Sequence, residues 1–492
     1  MTKKDKAWFL FLATRIAGMF IDASIMAGAY LAAFALRLDF NEPTWGWGAV
    51  AQSFIVVWMV QQGALLAFGC YRLTWRKTGA LDIPRYVGAV VASAAALLLM
   101  RLFMPSVAYA GMRPPFSITL MNAVLVAVGV IGARWMWRLV WDAHRRNETF
   151  LNRDERRMDS TDVMALFSGK RVMVTGAGGS IGSEIVRQIA RCNPAEILLV
   201  ERSENALYEI ERKVRYLFPD VQTVPEMVDV ADEKRMREIF AAHRPEIVLH
   251  AAAYKHVTMV EANPREGLQN NTVATRLLGE MARDAGVERF VMISTDKAVR
   301  PVSVMGITKR LAEIALLGLN GGATRFSGVR FGNVLGSSGS VVPLFKEQIA
   351  RRGPVTVTHP EMKRYFITVQ EAVSLILQVA TLAEPALYVL DMGEPVRIID
   401  LAEEMIRNAG LRPYVDVPIR FTGIRPGEKL FEELDVNDKS TMKTGCDRIY
   451  VCRDDSPRTA DEVMDFAKSL IEECTSNDEL RRRLKTEWSL HP

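Results

Sequence analysis

The chain has 492 residues, 49% hydrophobic and 24% charged, with 33 Gly and 21 Pro. That length carries about three folding units, and the balance excludes disordered, collagen-like and disulfide-stapled chains. The net charge of +5 is unevenly held: residues 1–140 carry 13 Lys/Arg against 5 Asp/Glu, and the remainder 49 against 52, so the second part has no excess of positive charge with which to bind nucleic acid. Five scattered Cys without a CxxC spacing and six dispersed His fit reduced thiols and no metal site.

Four apolar stretches come first: 16–36 with the single charge Asp22, 48–70 with none, 86–104 with Arg101 near one end, and 117–133 with none. A bilayer core needs about 20 apolar residues in a helix, so they predict four spans in a lipid bilayer. Basic residues cluster at the N-terminus (Lys3, Lys4, Lys6), in the second loop (Arg72, Arg76, Lys77, Arg85) and after the fourth span (Arg134, Arg138, Arg145, Arg146). The first and third loops offer only Arg37 and Arg113. This bias places both termini in the cytoplasm. Trp45, Trp47, Trp75, Trp135 and Trp137 stand near span ends, as interfacial anchors do. Arg15 and Asp22 are expected to pair or to reach the interface. The polar segment 144–169 reads as a linker or surface helix, not a core element. The expected domains are therefore a four-helix membrane domain at 1–140, a linker at 141–169 and a further domain at 170–492.

Residues 170–175 (KRVMVT) read as a strand that runs into the glycine turn Gly176, Gly178, Gly179, Ser180, Ile181, Gly182, followed by helical spacing. Strand, glycine turn and helix together form a pyrophosphate cradle, because the backbone N–H groups and the helix N-terminus face the anion. The next strand, 196–200, ends in Glu201, 19 residues after Gly182. A carboxylate there accepts from an adenosine ribose and favours NAD over NADP. Arg202, beside Ser203, would instead suit a 2′-phosphate. Further strands are expected before Asp229 and Val230, at 246–250 and at 289–294. Strand–helix alternation predicts a Rossmann-like, doubly wound parallel sheet with ligands at the carboxyl ends of its strands. A smaller C-terminal substrate-binding part is expected to follow.

The fifth strand ends in Thr295, Asp296 and Lys297, and Met305 and Lys309 open the next helix on one face at i and i+4. The Gly/Ser run containing Asn333, Ser337 and Ser340 offers backbone donors to a diphosphate. In the later RPGEK, Arg425 suits a diphosphate and Glu428 a ribose hydroxyl.

The glycine loop, the fifth strand and the helix at the YxxxK position resemble the extended short-chain dehydrogenases/reductases. TGAGGSIGSEI, HAAAYKHV, STDKAV, VMGITKR, FGNVLGSSGSVVP and RPGEKLFEEL, together with the four-span front, resemble more closely the large membrane-bound UDP-N-acetylglucosamine 4,6-dehydratases of bacterial polysaccharide and glycan synthesis. Met305 replaces the usual catalytic Tyr of the superfamily and Lys309 is kept; the large dehydratases are similar in this. A thioether has no useful proton to give, which argues against epimerases and reductases that need the phenol.

The resemblance implies NAD-dependent oxidation at C4, loss of water across C5 and C6, and return of hydride to C6, with C5 retained. Dehydratases that invert C5 resemble soluble proteins with Tyr. In the roles implied, Asp296 is the acid at O6, Lys297 the base at C5 and Thr295 the partner of the C4 hydroxyl. Lys309 holds the nicotinamide ribose. Asp229, Val230, Ala251 and Lys255 contact the cofactor, and Lys255 the substrate too; Asn271 is divided between a structural and a site role. The substrate implied is UDP-N-acetylglucosamine and the location the bacterial cytoplasmic membrane, with self-association of the catalytic part. The alternatives are a nucleotide-sugar epimerase and a non-catalytic membrane scaffold.

Overall fold

A computed structural model describes residues 3–37, 46–71, 83–103, 115–145, 161–434, 441–452, 456 and 458–489. The chain divides into an N-terminal helical unit and an α/β unit.

Low polarity over long runs makes the first four elements helices: α1 (Lys3–Arg37), α2 (Gly46–Ala67), α3 (Ile83–Phe103) and α4 (Phe116–Arg145). Each contains a segment long and apolar enough to cross a bilayer: Ala17–Arg37, Val50–Ala67, Ile83–Phe103 and Phe116–Met136. Phe20, Leu31, Met59, Leu102 and Val128 point outward, an apolar exterior suited to lipid. The interior is partly polar. Tyr30 donates to Ser53 Oγ at 2.8 Å, and Tyr86 donates to the Cys70 carbonyl at 3.0 Å.

The fourth helix runs past the expected end at 133. Arg134, expected among the basic residues of the exit, lies instead inside the bundle. Its guanidinium donates twice to Asp22, at 2.7 and 2.6 Å, and stacks over the Tyr86 ring at 4.6 Å. Asp22 is thus paired, as expected, through Arg134. Arg72, Arg76, Lys77, Arg113, Arg146, Trp45, Trp75 and residues 146–160 lie outside the described residues, as do the side chains of Lys3, Lys4, Lys6, Arg15, Arg138, Arg145, Trp47 and Trp137.

The expected surface segment before the sheet is corrected in part. Helix α5 (Thr161–Phe167) buries Val163 and Phe167 completely in the main core, because two apolar side chains four apart share one face.

The α/β unit is built on strands β1 (Arg171–Thr175), β2 (Glu196–Glu201), β3 (Thr223–Met227), β4 (Ile247–His250), β5 (Arg289–Ile293), β6 (Arg325–Arg330) and β7 (Leu387–Leu390), all parallel to their neighbours. Two C-terminal strands, β8 (Thr441–Lys443) and β9 (Ile449–Cys452), extend the sheet antiparallel. The strand order is β8-β9-β7-β6-β5-β4-β1-β2-β3. The central strands are apolar on both faces, as a parallel sheet covered twice requires. The helix Ser180–Ile189 packs on one face with Glu204–Leu217 and Val369–Thr381. The other face carries Glu233–His243, Ala274–Asp284 and Val304–Leu317. The order reverses between β1 and β4, opening a crevice at their carboxyl ends where such sheets take ligands.

Candidate active site

The glycine turn fills the β1 end of that crevice. Gly176 has φ +64°, which glycine adopts freely, and a Cβ on Gly182 would lie 2.0 Å from the Gly176 carbonyl oxygen. Gly179 caps the helix that begins at Ser180, so backbone N–H groups face the crevice. Glu201, at the end of β2, accepts from the Gly178 N–H at 3.1 Å and the Ser203 N–H at 3.0 Å.

A cavity of about 200 Å³ runs past this turn, lined among others by Gly176, Gly179, Glu201, Asp229, Val230 and Ala251. Arg202, at its edge, lies over the Tyr254 ring at 4.6 Å, hydrogen-bonds its hydroxyl and pairs with Asp229 at 3.5 Å. Gly176, Gly178, Gly179, Ser180, Ile181, Gly182, Glu201, Arg202, Ser203, Asp229, Val230 and Ala251 therefore fall around one crevice; the glycine cradle and the carboxylate at the β2 end fit a dinucleotide. A wider, open cleft of about 770 Å³ lies at the opposite end of the helix Val304–Leu317 from Met305, lined by Gly318, Arg276 and Arg458. None of the acid–base residues singled out from the sequence lines it.

Beside the crevice, β5 delivers Thr295, Asp296 and Lys297 on a 3₁₀ turn. Thr295 caps this turn. Its hydroxyl donates to Asp296 Oδ1 at 2.8 Å. Lys297 Nζ donates to the same Oδ1 at 2.9 Å and to Asn333 Oδ1 at 3.2 Å. Asp296 is fully buried, and its Oδ2 has no hydrogen-bond partner. Lys297 keeps a fifth of its side chain exposed, so the carboxyl is dry while the lysine is still partly open.

Met305 and Lys309 stand on the helix Val304–Leu317, whose first turn is closed twice. Ser303 accepts from the Gly306 N–H at 3.0 Å, and Glu261 accepts from the Val304 N–H at 2.9 Å. Met305 is buried in a cluster with Val260, Leu268, Ile307 and Leu311. Lys309 is buried too, and burial drives its proton affinity down to about 8, against the opposing pull of Glu313.

The Gly/Ser loop folds onto the glycine turn: the Ser338 N–H donates to Ser180 Oγ at 3.0 Å. Ser337 is buried, and Ser340 caps the next helix with its Oγ buried and unpartnered. Lys255 is exposed on the loop after β4. Arg425 and Glu428 form a turn, with the Glu428 N–H donating to the Arg425 carbonyl at 3.0 Å. Arg425 is exposed and, among the described residues, forms no hydrogen bond or ion pair with Thr295, Asp296 or Lys297. The segment after it is tied down, as Lys429 Nζ donates to the Val299 carbonyl at 3.1 Å. Asn271 is structural: its amide donates to the Tyr254 carbonyl and to Thr308 Oγ1, and its oxygen accepts from the Tyr254 N–H.

Several residues here carry no signal in spacing. His250 sits between Thr175 Oγ1 at 2.8 Å and Thr275 Oγ1 at 2.9 Å. Burial and the charge of Lys309 hold it down to about 3, a neutral ring. Glu313 is buried against Ser294, Arg330 and Arg310. Although burial opposes it, Arg330 leads the groups that pull its carboxyl below the ordinary range. Glu432, from the last motif, places Oε1 3.9 Å from Lys297 Nζ and 3.7 Å from Arg364 Nη2.

This fold and site define a Rossmann-like α/β protein with a glycine cradle, a buried carboxyl and a partly exposed amine. A family model described as polysaccharide biosynthesis protein matches residues 172–454, and the chain belongs to that family. It is 49% identical over 291 residues to the capsular polysaccharide biosynthesis protein CapD of Staphylococcus aureus, a match covering 58% of this chain and 48% of the relative. The chain thus spans about half the length of that relative. It is 30% identical over 319 residues to a UDP-N-acetylglucosamine 4,6-dehydratase (inverting) of Campylobacter jejuni, covering 63% of this chain and 90% of the relative. Among solved structures it is similar to Pen from Bacillus thuringiensis, at 26% identity and a TM-score of 0.53, over 62% of this chain and 99% of that one.

Proposed function

We propose that the chain is a membrane-anchored, NAD-dependent UDP-N-acetylglucosamine 4,6-dehydratase, with residues 1–140 as anchor and 170–492 as catalytic domain, both termini on the cytoplasmic side of a bacterial membrane. The observation that carries this reading is the joined set of Thr295 Oγ1, Asp296 Oδ1 and Lys297 Nζ beside the glycine crevice, with a thioether at the phenol's position. Similarity to the Campylobacter jejuni dehydratase supports the reaction class. Glu201 at the ribose end, and Arg202 already engaged by Asp229 and Tyr254, favour NAD over NADP.

A nicotinamide held in the crevice would supply the acceptor for hydride from C4 of the sugar and the donor of hydride to C6. The chain's own residues move the protons. Because Met305 cannot accept one, the C4 hydroxyl proton goes to Thr295 Oγ1 while the Thr295 proton passes to Asp296 Oδ1. The loaded Asp296 then protonates O6, which leaves as water, so one proton serves both the oxidation and the elimination. Lys297 takes the C5 proton, made acidic by the neighbouring ketone, exchanges it with solvent and delivers a solvent-derived proton back to C5. Acid–base groups of this kind contribute roughly 10²–10⁴-fold each. Lys309 would hold the nicotinamide ribose, and the Gly/Ser loop and Arg425 the diphosphate, with Glu428 at a ribose hydroxyl and Lys255 touching cofactor and substrate.

The test is incubation of the full chain with UDP-N-acetylglucosamine in deuterated water. A 4-keto-6-deoxy product with deuterium at C5 is the expected result. Sugar nucleotide recovered with oxygen still on C6 would overturn the reading. Return of the C5 proton from the face it left retains configuration, and the product's C5 stereochemistry separates this from the inverting reaction named for the Campylobacter jejuni relative.

A further inference from the structure

We propose that Glu432 is the proton-accepting partner of Lys297, a positioning residue that frees the Lys297 amine while Asp296 remains a carboxylate. The inference rests on the dehydratase reading and deepens it. In that reaction Asp296 must begin ionised to receive the C4 hydroxyl proton, and Lys297 must begin neutral to take the C5 proton. The two share one hydrogen bond at 2.9 Å. If the spare proton of the ammonium moved to Asp296, the carboxyl would be filled before the sugar delivered its own. Asn333, the second acceptor of Lys297 at 3.2 Å, is an amide and cannot hold it.

Glu432 is the third oxygen-bearing group around that amine. Its Oε1 lies 3.9 Å from Lys297 Nζ, its side chain is 3% exposed, and its Oε2 is buried without a hydrogen-bond partner. A buried, unpaired carboxyl oxygen is costly as an anion and is relieved by a proton. Burial and the Asp296 charge push the Glu432 carboxyl above its ordinary value, against Lys297, Arg364 and Lys429. Arg364 divides its donors, bonding to the carbonyls of Lys363, Leu430 and Lys429 while its Nη2 also stands 3.7 Å from Glu432 Oε1. Lys429 donates to the Val299 carbonyl and faces Glu433 at 3.5 Å.

The step balances within the chain. An N–H bond of the Lys297 ammonium breaks, an O–H bond on Glu432 forms, and Glu432 keeps that proton through turnover while Lys297 exchanges another with C5. The neutral amine then exists over the whole interval between the two titrations of the pair, independent of pH.

Glu432→Gln in the full chain, with Glu432→Asp as the conservative control, tests this. In wild type, acetic anhydride labelling of Lys297, read by mass spectrometry without substrate, is expected to stay level around neutral pH. In Glu432→Gln it is expected to be low and to climb roughly tenfold per pH unit, the slope of one proton lost to solvent. Turnover of UDP-N-acetylglucosamine should fall about 100-fold at neutral pH, recover as pH rises, and be partly restored by Glu432→Asp. A merely structural role lowers turnover equally at every pH. Labelling curves that superimpose, or a turnover loss independent of pH, would overturn the proposal. Failure of the wild-type chain to dehydrate the sugar would sink the dehydratase reading instead, leaving the labelling curves to decide the Lys297–Glu432 couple.

Discussion

Two buried carboxylates, one in each unit, bind a cation in opposite ways. Asp22 uses both oxygens on the Arg134 guanidinium, and both side chains are sealed, at 0% and 1% exposed. Asp296 uses one oxygen on a partly exposed lysine, shares that oxygen with Thr295 and leaves the other without a partner. The planar fork of arginine matches a carboxylate in two bonds and cannot release its proton. Lysine is a point charge that can be neutralised. The first arrangement suits holding α1 against α4; the second leaves open valences for a substrate.

The contrast can be broken most sharply at Asp296. Asp296→Asn keeps the shape but can neither receive nor deliver a proton, so turnover should drop by roughly 10³-fold. Cofactor copurification should be unchanged, since the glycine crevice is untouched; a variant with wild-type turnover would refute the acid assignment. On the other side, Arg134→Met strands the Asp22 charge inside the bundle and should cost about 3–5 kcal/mol of stability, measured by unfolding in detergent. The double replacement Asp22→Leu with Arg134→Met should restore most of it, because two apolar side chains need no partner. Equal stability of the single and double variants would show that the pair does not carry the packing.

Lys309 sharpens the comparison with a third case, a buried amine without a direct carboxylate bond among the contacts above. Its folded proton affinity stands at about 8 against 10.5 for an ordinary lysine. Between those values the unfolded chain binds more protons than the folded one, so stability should rise as pH climbs from about 8 toward 10.5. Denaturant unfolding across that range should show the rise in wild type and lose that part of it in Lys309→Met. Identical curves would contradict the depressed affinity.

Much of this architecture is local and was therefore open to reading in one dimension. The four spans follow from length and apolarity, and the glycine turn from its place between a strand and a helix. The Met305–Lys309 face follows from helical spacing. What escaped is what depends on distant partners. Arg134 looked like an exit-loop base because Asp22 lies 112 positions earlier. Val163 and Phe167 looked isolated in a polar stretch because the surface they cover is made by later elements. His250 reads as the last residue of an apolar strand until Thr175 and Thr275 close around it.

Glu432 marks the boundary most clearly. The order of residues by itself determined the spans, the alternation of strands and helices, the cradle for a pyrophosphate and the neighbours Thr295, Asp296 and Lys297, since each rests on chain geometry over a few turns. Only the tertiary structure decided which carboxylates meet which cations, because Coulomb and desolvation energies depend on separation and burial in space, and a glutamate 135 positions beyond Lys297 in the chain comes within 3.9 Å of its amine once the sheet is assembled.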